Sequence, residues 1–363
     1  MRQNSTSTKK CRTIEIVAEL NASHLLASDF REANIARVRL AMFFCEEPYG
    51  TLRFGYGAMF HCDGNPMNES NILIKKILSE CIGEAKQFLL PNEAECVNLC
   101  EMIFCKNAQD CYAVIYEEKI VGVFCFRNRR TIFHCLPFTK YKTALDKILC
   151  QETQAAFYEF FVDEKPFCIN GEATGSLFLK NIFRNKKNPV HAKVTNEYFL
   201  MQKTFPREKS AEANSSLSAC ENQSRIFLAS PCDEEKLFPL ERAYQFEEVI
   251  PPNFNVSEKL LREAFRLNLQ SQRIFYLQIE NGPVAKAAIT ACGKNYALLG
   301  GVYTLPEFRM KGFATILIQH ILRVLASEKK SASLYAKKNK SAVVEMYKKT
   351  GFENAAEYRL IYF

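Results

Sequence analysis

The sequence predicts an α/β (α+β) protein in two parts, each built on a mixed central sheet flanked by helices, and three observations carry this reading. The chain has 363 residues, more than one hydrophobic core usually serves. From Cys232 onward it alternates helix-like and strand-like runs in the order α, α, β, β, β, α, β, α, β. Between the halves, FPREKSAEANSSLSACENQS (Phe205 to Ser224) carries Ser, Ala, Asn and charge with no apolar period, the composition of an exposed linker. The chain therefore divides into an N-terminal domain, 1–204, a linker, 205–224, and a C-terminal domain, 225–363.

The N-terminal half begins with helical runs from Ala22 to Phe44 and from Asn71 to Phe88. A hairpin follows, YAVIYEEKIVGVFCF (Tyr112 to Phe126), in which two apolar runs flank a short acidic turn. The rest reads LDKILCQETQAAFYEFF, KPFCINGEATGSLFLKNIF and EYFLMQ.

In the C-terminal half, CDEEKLFPLERAYQFEEVIPPN reads as a helix ended by Pro251 and Pro252. Ser257 is an N-cap signal ahead of the amphipathic LLREAFRLNLQS. RIFYLQIENGPVAKAAIT (Arg273 to Thr290) is a hairpin on an Asn-Gly turn, and YALLGGVYT is a third strand. A helix from Phe313 to Ser327, a strand SASLYAK, a helix from Ser341 to Lys349 and a terminal strand EYRLIYF complete it. The two hairpins share the pattern of strand, acidic turn and small-residue strand, a weak sign of internal duplication.

Composition narrows the function. The opening MRQNSTSTKKCR lacks the apolar run of a signal peptide, and no later stretch approaches the roughly 20 apolar residues of a membrane span. The reading is a soluble, cytoplasmic protein with no membrane partner. Fifteen cysteines, an odd number in a long chain, sit partly in apolar runs such as RLAMFFC and read as reduced thiols acting as small hydrophobes. Cys96, Cys100, Cys105 and Cys111 lack the paired knuckles and nearby histidines of structural zinc, so no metal is expected. Net charge is +8, and from Pro306 to the end eleven Lys or Arg stand against five Glu. Such charge suits a polyphosphate, but no basic-aromatic platform for nucleic acid stands out.

The stretch from Gly300 to Leu322 holds the most specific chemistry. A strand ending at Thr304 and a helix beginning near Phe313 leave a loop whose amides serve neither element. The first N–H groups of a helix lack intrahelical partners and carry the positive end of its dipole, so a pyrophosphate is held there by backbone. Gly312 permits close approach, Arg309 and Lys311 add charge, and Ala314 keeps the first turn slim. Gly300 and Gly301 inside a strand mark a bulge that would splay it from its neighbour.

These residues resemble the GCN5-related N-acetyltransferases (GNAT), whose acetyl-CoA loop has the pattern Gln/Arg-x-x-Gly-x-Gly/Ala. Here it stands as Arg309-Met310-Lys311-Gly312-Phe313-Ala314, preceded by VYTLPEF and followed by NKSAVVEMYKKTGFE with Tyr347, Gly351 and Phe352. The resemblance covers residues 225–363. Asn339 to Tyr347 is one residue longer than in many members, which weakens Asn339 as a cofactor contact. The N-terminal half looks like a diverged copy of the same fold, as in tandem members. Its CINGEATGSLFLKNIF stands near the loop-helix place without the motif, so no cofactor is expected there.

The resemblance implies an acetyl-CoA-dependent N-acetyltransferase in which a primary amine attacks the thioester directly. Backbone N–H groups around Val302, Tyr303 and Thr304 would hold the carbonyl oxygen. Tyr347 would protonate the leaving thiolate, and Glu247 or Glu248, or a water, would take the ammonium proton. Glu307 is read as a turn residue and His320 as packing. Two alternatives stand beside this: an aminoacyl transferase of tandem GNAT-like fold, and a non-catalytic acetyl-CoA-binding regulator.

Overall fold

The computed structural model describes residues 72–105, 110–128, 130–205, 225–250, 256–280 and 282–363. The helix expected from Ala22 to Phe44 and the Pro251-Pro252 break lie outside these.

The same order of elements occurs twice. The first run is β1 (Ile72–Lys76), α1 (Ile82–Leu89), α2 (Val97–Phe104), β2 (Cys111–Tyr116), β3 (Lys119–Arg127), β4 (Thr131–Cys135), α3 (Ala144–Phe160), β5 (Cys168–Glu172), α4 (Ala173–Asn185) and β6 (Val194–Lys203). The second is β7 (Arg225–Leu228), α5 (Glu234–Tyr244), α6 (Glu258–Ser271), β8 (Arg273–Ile279), β9 (Gly282–Cys292), β10 (Tyr296–Thr304), α7 (Phe313–Ser327), β11 (Ser331–Lys337), α8 (Ser341–Lys349) and β12 (Glu353–Tyr362). The resemblance between the two hairpins is thus one part of a repeat that runs through every element.

The twelve strands of the described residues form one sheet, in the order β1-β2-β3-β4-β5-β12-β6-β11-β10-β9-β8-β7. The final strands have changed places. β6 pairs antiparallel with β11 of the second half, β12 pairs antiparallel with β5 of the first, and the two pair with each other. Each half therefore completes the other's sheet. In sequence the first run ends at Lys203 and the second begins at Arg225; in space they interlock.

Local chemistry explains most element ends. Thr143 and Asp146 form a capping box at the start of α3, and Ser257 Oγ accepts the Leu260 amide at the start of α6. The β2–β3 turn places Glu117 and Glu118 at positive φ, 46° and 63°, as a two-residue hairpin requires. After α5 the backbone widens into one π-helical turn, Gln245–Val249, closed by the Ile250 amide on the Gln245 carbonyl at 2.7 Å.

The cores follow the strand alternation. On one face of the second half, Leu317, Ile318, Ile321 and Leu325 of α7 pack on Ala285, Ala287, Leu299 and Leu334. On the other, Leu237 and Phe238 of α5 and Leu261 and Phe265 of α6 cover Ile274, Tyr276 and Ala288. The first half is phenylalanine-rich, with Phe124, Phe157, Phe161, Phe178 and Phe183 buried together and joined by Phe363 from the end of the chain. Each such ring contributes roughly 2–3 kcal/mol through burial.

Several expectations are corrected. Asn71 to Phe88 is not one helix: β1 and α1 share it, because Ile72 faces the core as an edge-strand residue and residues 79–81 turn the chain. A short strand, β7, precedes the two helices of the second half. CINGE is β5 and ATGSLFLKNIF opens α4, so this stretch corresponds to β11 and α8 rather than to the loop before α7. That loop's counterpart is Leu136 to Thr143. Cys111 and Cys125, opposed across β2 and β3, form a disulfide where free thiols were expected. Cys96 Sγ lies 3.8 Å from Cys100 Sγ.

Candidate functional site

Two strands part at the centre of the second half. β10 and β11 run parallel and pair only from Tyr296↔Ser331 to Leu299↔Leu334, after which they diverge. On the other side of β10, Gly300 faces Ala288 and Tyr303 faces Lys286, so Gly301 and Val302 together oppose Ala287. This is the bulge that the paired glycines imply. Gly301 has φ of +59°, and a Cβ on Gly300 would lie 3.0 Å from Thr290 Cγ2. Neither position accepts a larger residue without movement.

The divergence opens a cleft of about 340 Å³. One wall is β10 from Leu298 to Val302, the other is Tyr335, Ala336 and Lys337 of β11 with Lys340 and Tyr347. The roof includes Glu241, Tyr244, Gln245 and Glu248 from α5 and the π turn. The far end comes from the first half, through Arg127, Asn170, Asn196 and Tyr198. Burial lowers the Arg127 pKa, and its guanidinium lies 4.8 Å over the Phe133 ring.

At the end of β10 the chain turns through a short 3₁₀ element, Pro306–Phe308. Met310 takes φ of +61° and is 99% exposed, and Gly312, the residue before α7, takes φ of +82°. Among the described residues, no side chain caps this helix start, and a Cβ on Gly312 would meet nothing within 4 Å. The first intrahelical bond runs from the Ile316 amide to the Gly312 carbonyl at 3.0 Å, leaving earlier amides directed outward. In the first half the equivalent helix start is filled by Thr143 and Asp146, which sets a carboxylate where the second half has bare amides.

The expected site residues fall in three groups. Val302 and Tyr347 line the cleft, and Tyr347 is 6% exposed. Burial first, then the nearby Glu248 charge, push its phenol well above the ordinary tyrosine range, so it stays protonated. Glu248 also lines the cleft, held by the Lys337 ammonium at 3.2 Å and by the Lys340 ammonium.

A second group sits around it. The Tyr303 hydroxyl donates to Glu247 Oε2 at 2.8 Å, and burial raises the tyrosine to about 12. Thr304 ends β10 with a buried hydroxyl that has no partner among the described residues. Arg309, expected at the loop mouth, turns instead to Glu247 Oε2 at 2.7 Å and to the Thr304 carbonyl at 3.0 Å. The Arg309 bond holds the Glu247 carboxyl below the ordinary glutamate range, which makes it a poor proton acceptor. Lys311 lies 5.1 Å over the Phe308 ring, while Phe313 packs against the core and Ala314 is half-buried beside it.

Asn339 forms the third group alone, exposed in the turn before α8 and outside the cleft lining. His320 packs its ring 5.6 Å from Phe275.

The sequence reading missed the cleft's most buried ionic pair. Lys286 Nζ lies 2.8 Å from Glu241 Oε2, with both side chains 5% exposed. A lysine among the small apolar residues of VAKAAIT is the one signal that could have marked it.

Residues 279–361 match the family described as FR47-like protein. This C-terminal stretch is similar to an FR47-like, GNAT-related domain, and the mixed α/β architecture of the chain is shared with solved structures. No curated protein matches the chain. Among solved structures, a Drosophila protein is 10% identical, with a TM-score of 0.51 over 80% of this chain and 98% of its own. A tandem GNAT protein from the clavulanic acid biosynthesis pathway is 9% identical over 80% of this chain and 97% of its own, with a TM-score of 0.49. A Novosphingobium aromaticivorans protein assigned to the GNAT family is 17% identical, with a TM-score of 0.35 over 47% of this chain. The present chain spans 65% of the length of that protein. Among the described residues, no helix is long and apolar enough to cross a membrane.

Proposed function

We propose that the chain is an acetyl-CoA-dependent N-acetyltransferase that acts on a primary amine by direct attack with both substrates bound. The observation that carries this reading is the junction of an uncapped helix start at Gly312 with a cleft between β10 and β11 that holds a protonated Tyr347. A pyrophosphate fits the first and a thioester fits the second. The two features are joined by one strand, β10.

Each residue then has a task. Amides at the start of α7 bind the pyrophosphate, and the dipole of a fifteen-residue helix favours its charge. β10 beyond Leu299 has left β11, so its free edge accepts the pantetheine arm as an added strand, and an amide near Val302 meets the carbonyl oxygen. Tyr347 gives its proton to the leaving sulfur. Of the two glutamates, Glu248 faces the cleft and takes the ammonium proton, directly or through a water, while Glu247 holds Arg309 and Tyr303.

Calorimetric titration with acetyl-CoA and with CoA tests the reading. One site per chain is expected in the wild type. It should be lost in Gly312→Val, which blocks the amides, and kept in Tyr347→Phe, which removes only the phenol proton. Absence of binding in the wild type would refute the assignment, and two sites per chain would place a second cofactor in the N-terminal half. Transfer by Tyr347→Phe at the wild-type rate on an amine panel would remove Tyr347 from catalysis.

A further inference from the structure

Lys286 lies on β9, on the face covered by α5 and α6, at the point where β10 bulges away. Its ammonium has three neighbours. It pairs with Glu241 Oε2 at 2.8 Å, donates to the Gly301 carbonyl at 3.2 Å, and stands 3.9 Å over the Tyr244 ring. Glu241 in turn accepts from Gln245 Nε2 at 2.7 Å, and Gln245 begins the π turn that roofs the cleft. All three residues are buried.

The register explains why a lysine stands here. Gly301 is one of two residues facing Ala287, so its carbonyl has left the regular ladder. A buried backbone carbonyl without a donor costs about 1–3 kcal/mol. Lys286 supplies the missing donor, and Glu241 neutralises the charge that this brings into the interior. At φ of +59°, Gly301 allows the turn, and a Cβ there would stand 3.3 Å from the lysine nitrogen. Glycine, lysine and glutamate together specify one backbone conformation at the mouth of the cleft.

We propose that Lys286, held by Glu241, is a positioning residue for acyl transfer: by fixing the Gly301 carbonyl it aims the next amides of β10 at the thioester oxygen. The proposal rests on the acetyltransferase reading above. Lys286 touches neither reacting group. It acts through the peptide it holds, and it links that peptide to the π turn carrying Glu247 and Glu248.

The test uses the full-length chain and acetyl-CoA labelled with carbon-13 at the thioester carbonyl, so no acceptor is required. Isotope-edited difference infrared spectroscopy reads the carbonyl stretch of the bound molecule. In the wild type the band shifts to lower frequency than in water as the strand amide engages the oxygen. Lys286→Met alone leaves the Glu241 carboxylate buried without its cation and is expected to destabilise the fold. The double variant Lys286→Met, Glu241→Gln removes both charges and keeps an acceptor for Gln245, so it should recover most of the melting temperature lost in the single variant, short of wild type by the cost of the Gly301 carbonyl left without its donor. It should bind acetyl-CoA within about threefold of wild type, because the pyrophosphate site is untouched, yet lose the carbonyl shift. A double variant that is folded, binds acetyl-CoA and keeps the full shift would show that the pair is structural only, and would overturn the proposal. If the wild type binds no acetyl-CoA, the function reading fails and takes the proposal with it, an outcome distinct from the first.

Discussion

Gly301 and Gly312 both hold positive φ, and both positions could be read from the sequence as glycines where a strand or loop needs a conformation that other residues resist. Lys286 and Glu241 were less legible. They lie on different elements and meet only because β9 packs under α5, a long-range contact that no local pattern encodes. The same holds for His134, which ordinary reading passes over. It is 2% exposed, bonded through Nε2 to Ser176 Oγ at 2.9 Å, and its Nδ1 has no partner among the described residues. A Cβ on Gly171 or Gly175 would overlap its ring, at 2.2 Å and 2.5 Å. Burial lowers its pKa from 6.5 to about 3. Because the folded value lies below the unfolded one, the stability it allows is complete above pH 6.5 and falls as the pH drops from 6.5 toward 3. The total is on the order of a few kcal/mol. Chemical denaturation between pH 7 and pH 4 should therefore show a steeper loss in the wild type than in His134→Gln, and equal slopes would mean that His134 ionises freely in the folded protein.

The helix that carries Tyr347 is anchored by an element from the other half. Lys203, on the exchanged strand β6, donates from Nζ to the Thr350 carbonyl at 2.7 Å at the end of α8. Gly351 follows with φ of +90°, and a Cβ there would come within 2.7 Å of the same nitrogen. A cation at a helix C-terminus satisfies a carbonyl that has no intrahelical donor and complements the dipole. Lys203→Met should cost about 1–2 kcal/mol in urea denaturation. It should also weaken any reaction that needs Tyr347 in place more than it weakens acetyl-CoA binding at α7. A variant as stable as the wild type would show that β6 does not hold α8. The Gly351-Phe352 pair after the helix was visible in the sequence as part of the family resemblance. The partner lysine was not, since strand exchange is invisible to a reading that assigns each run of residues to its own half. The short strands β1 and β7 escaped for a related reason: with five and four residues they carry too little alternation to be told from a helix or a linker end.

At the scale of the molecule, the cleft belongs to both halves. Arg127, Asn170, Asn196 and Tyr198 reach it from the first half, and Glu93, fully buried, accepts the amides of Asn295 and Tyr296 at 2.7 Å and 3.0 Å to fix the β9–β10 turn. A split at the linker therefore separates the sequence without separating the fold. Residues 225–363 expressed alone would lack β6, which stands between β11 and β12 and pairs with both. Both strands would then present open edges, the usual route to association. Light scattering should find this fragment aggregated, and co-expression with residues 1–224 should recover a soluble complex, because the exchanged strands supply each missing edge. A monomeric, cooperatively melting fragment would show instead that β6 is dispensable to the second half, and the cleft would have to be assigned to that half alone. The duplication makes the first outcome the physical expectation: two copies of one fold that trade their last strands gain a common sheet, and neither keeps a complete sheet of its own.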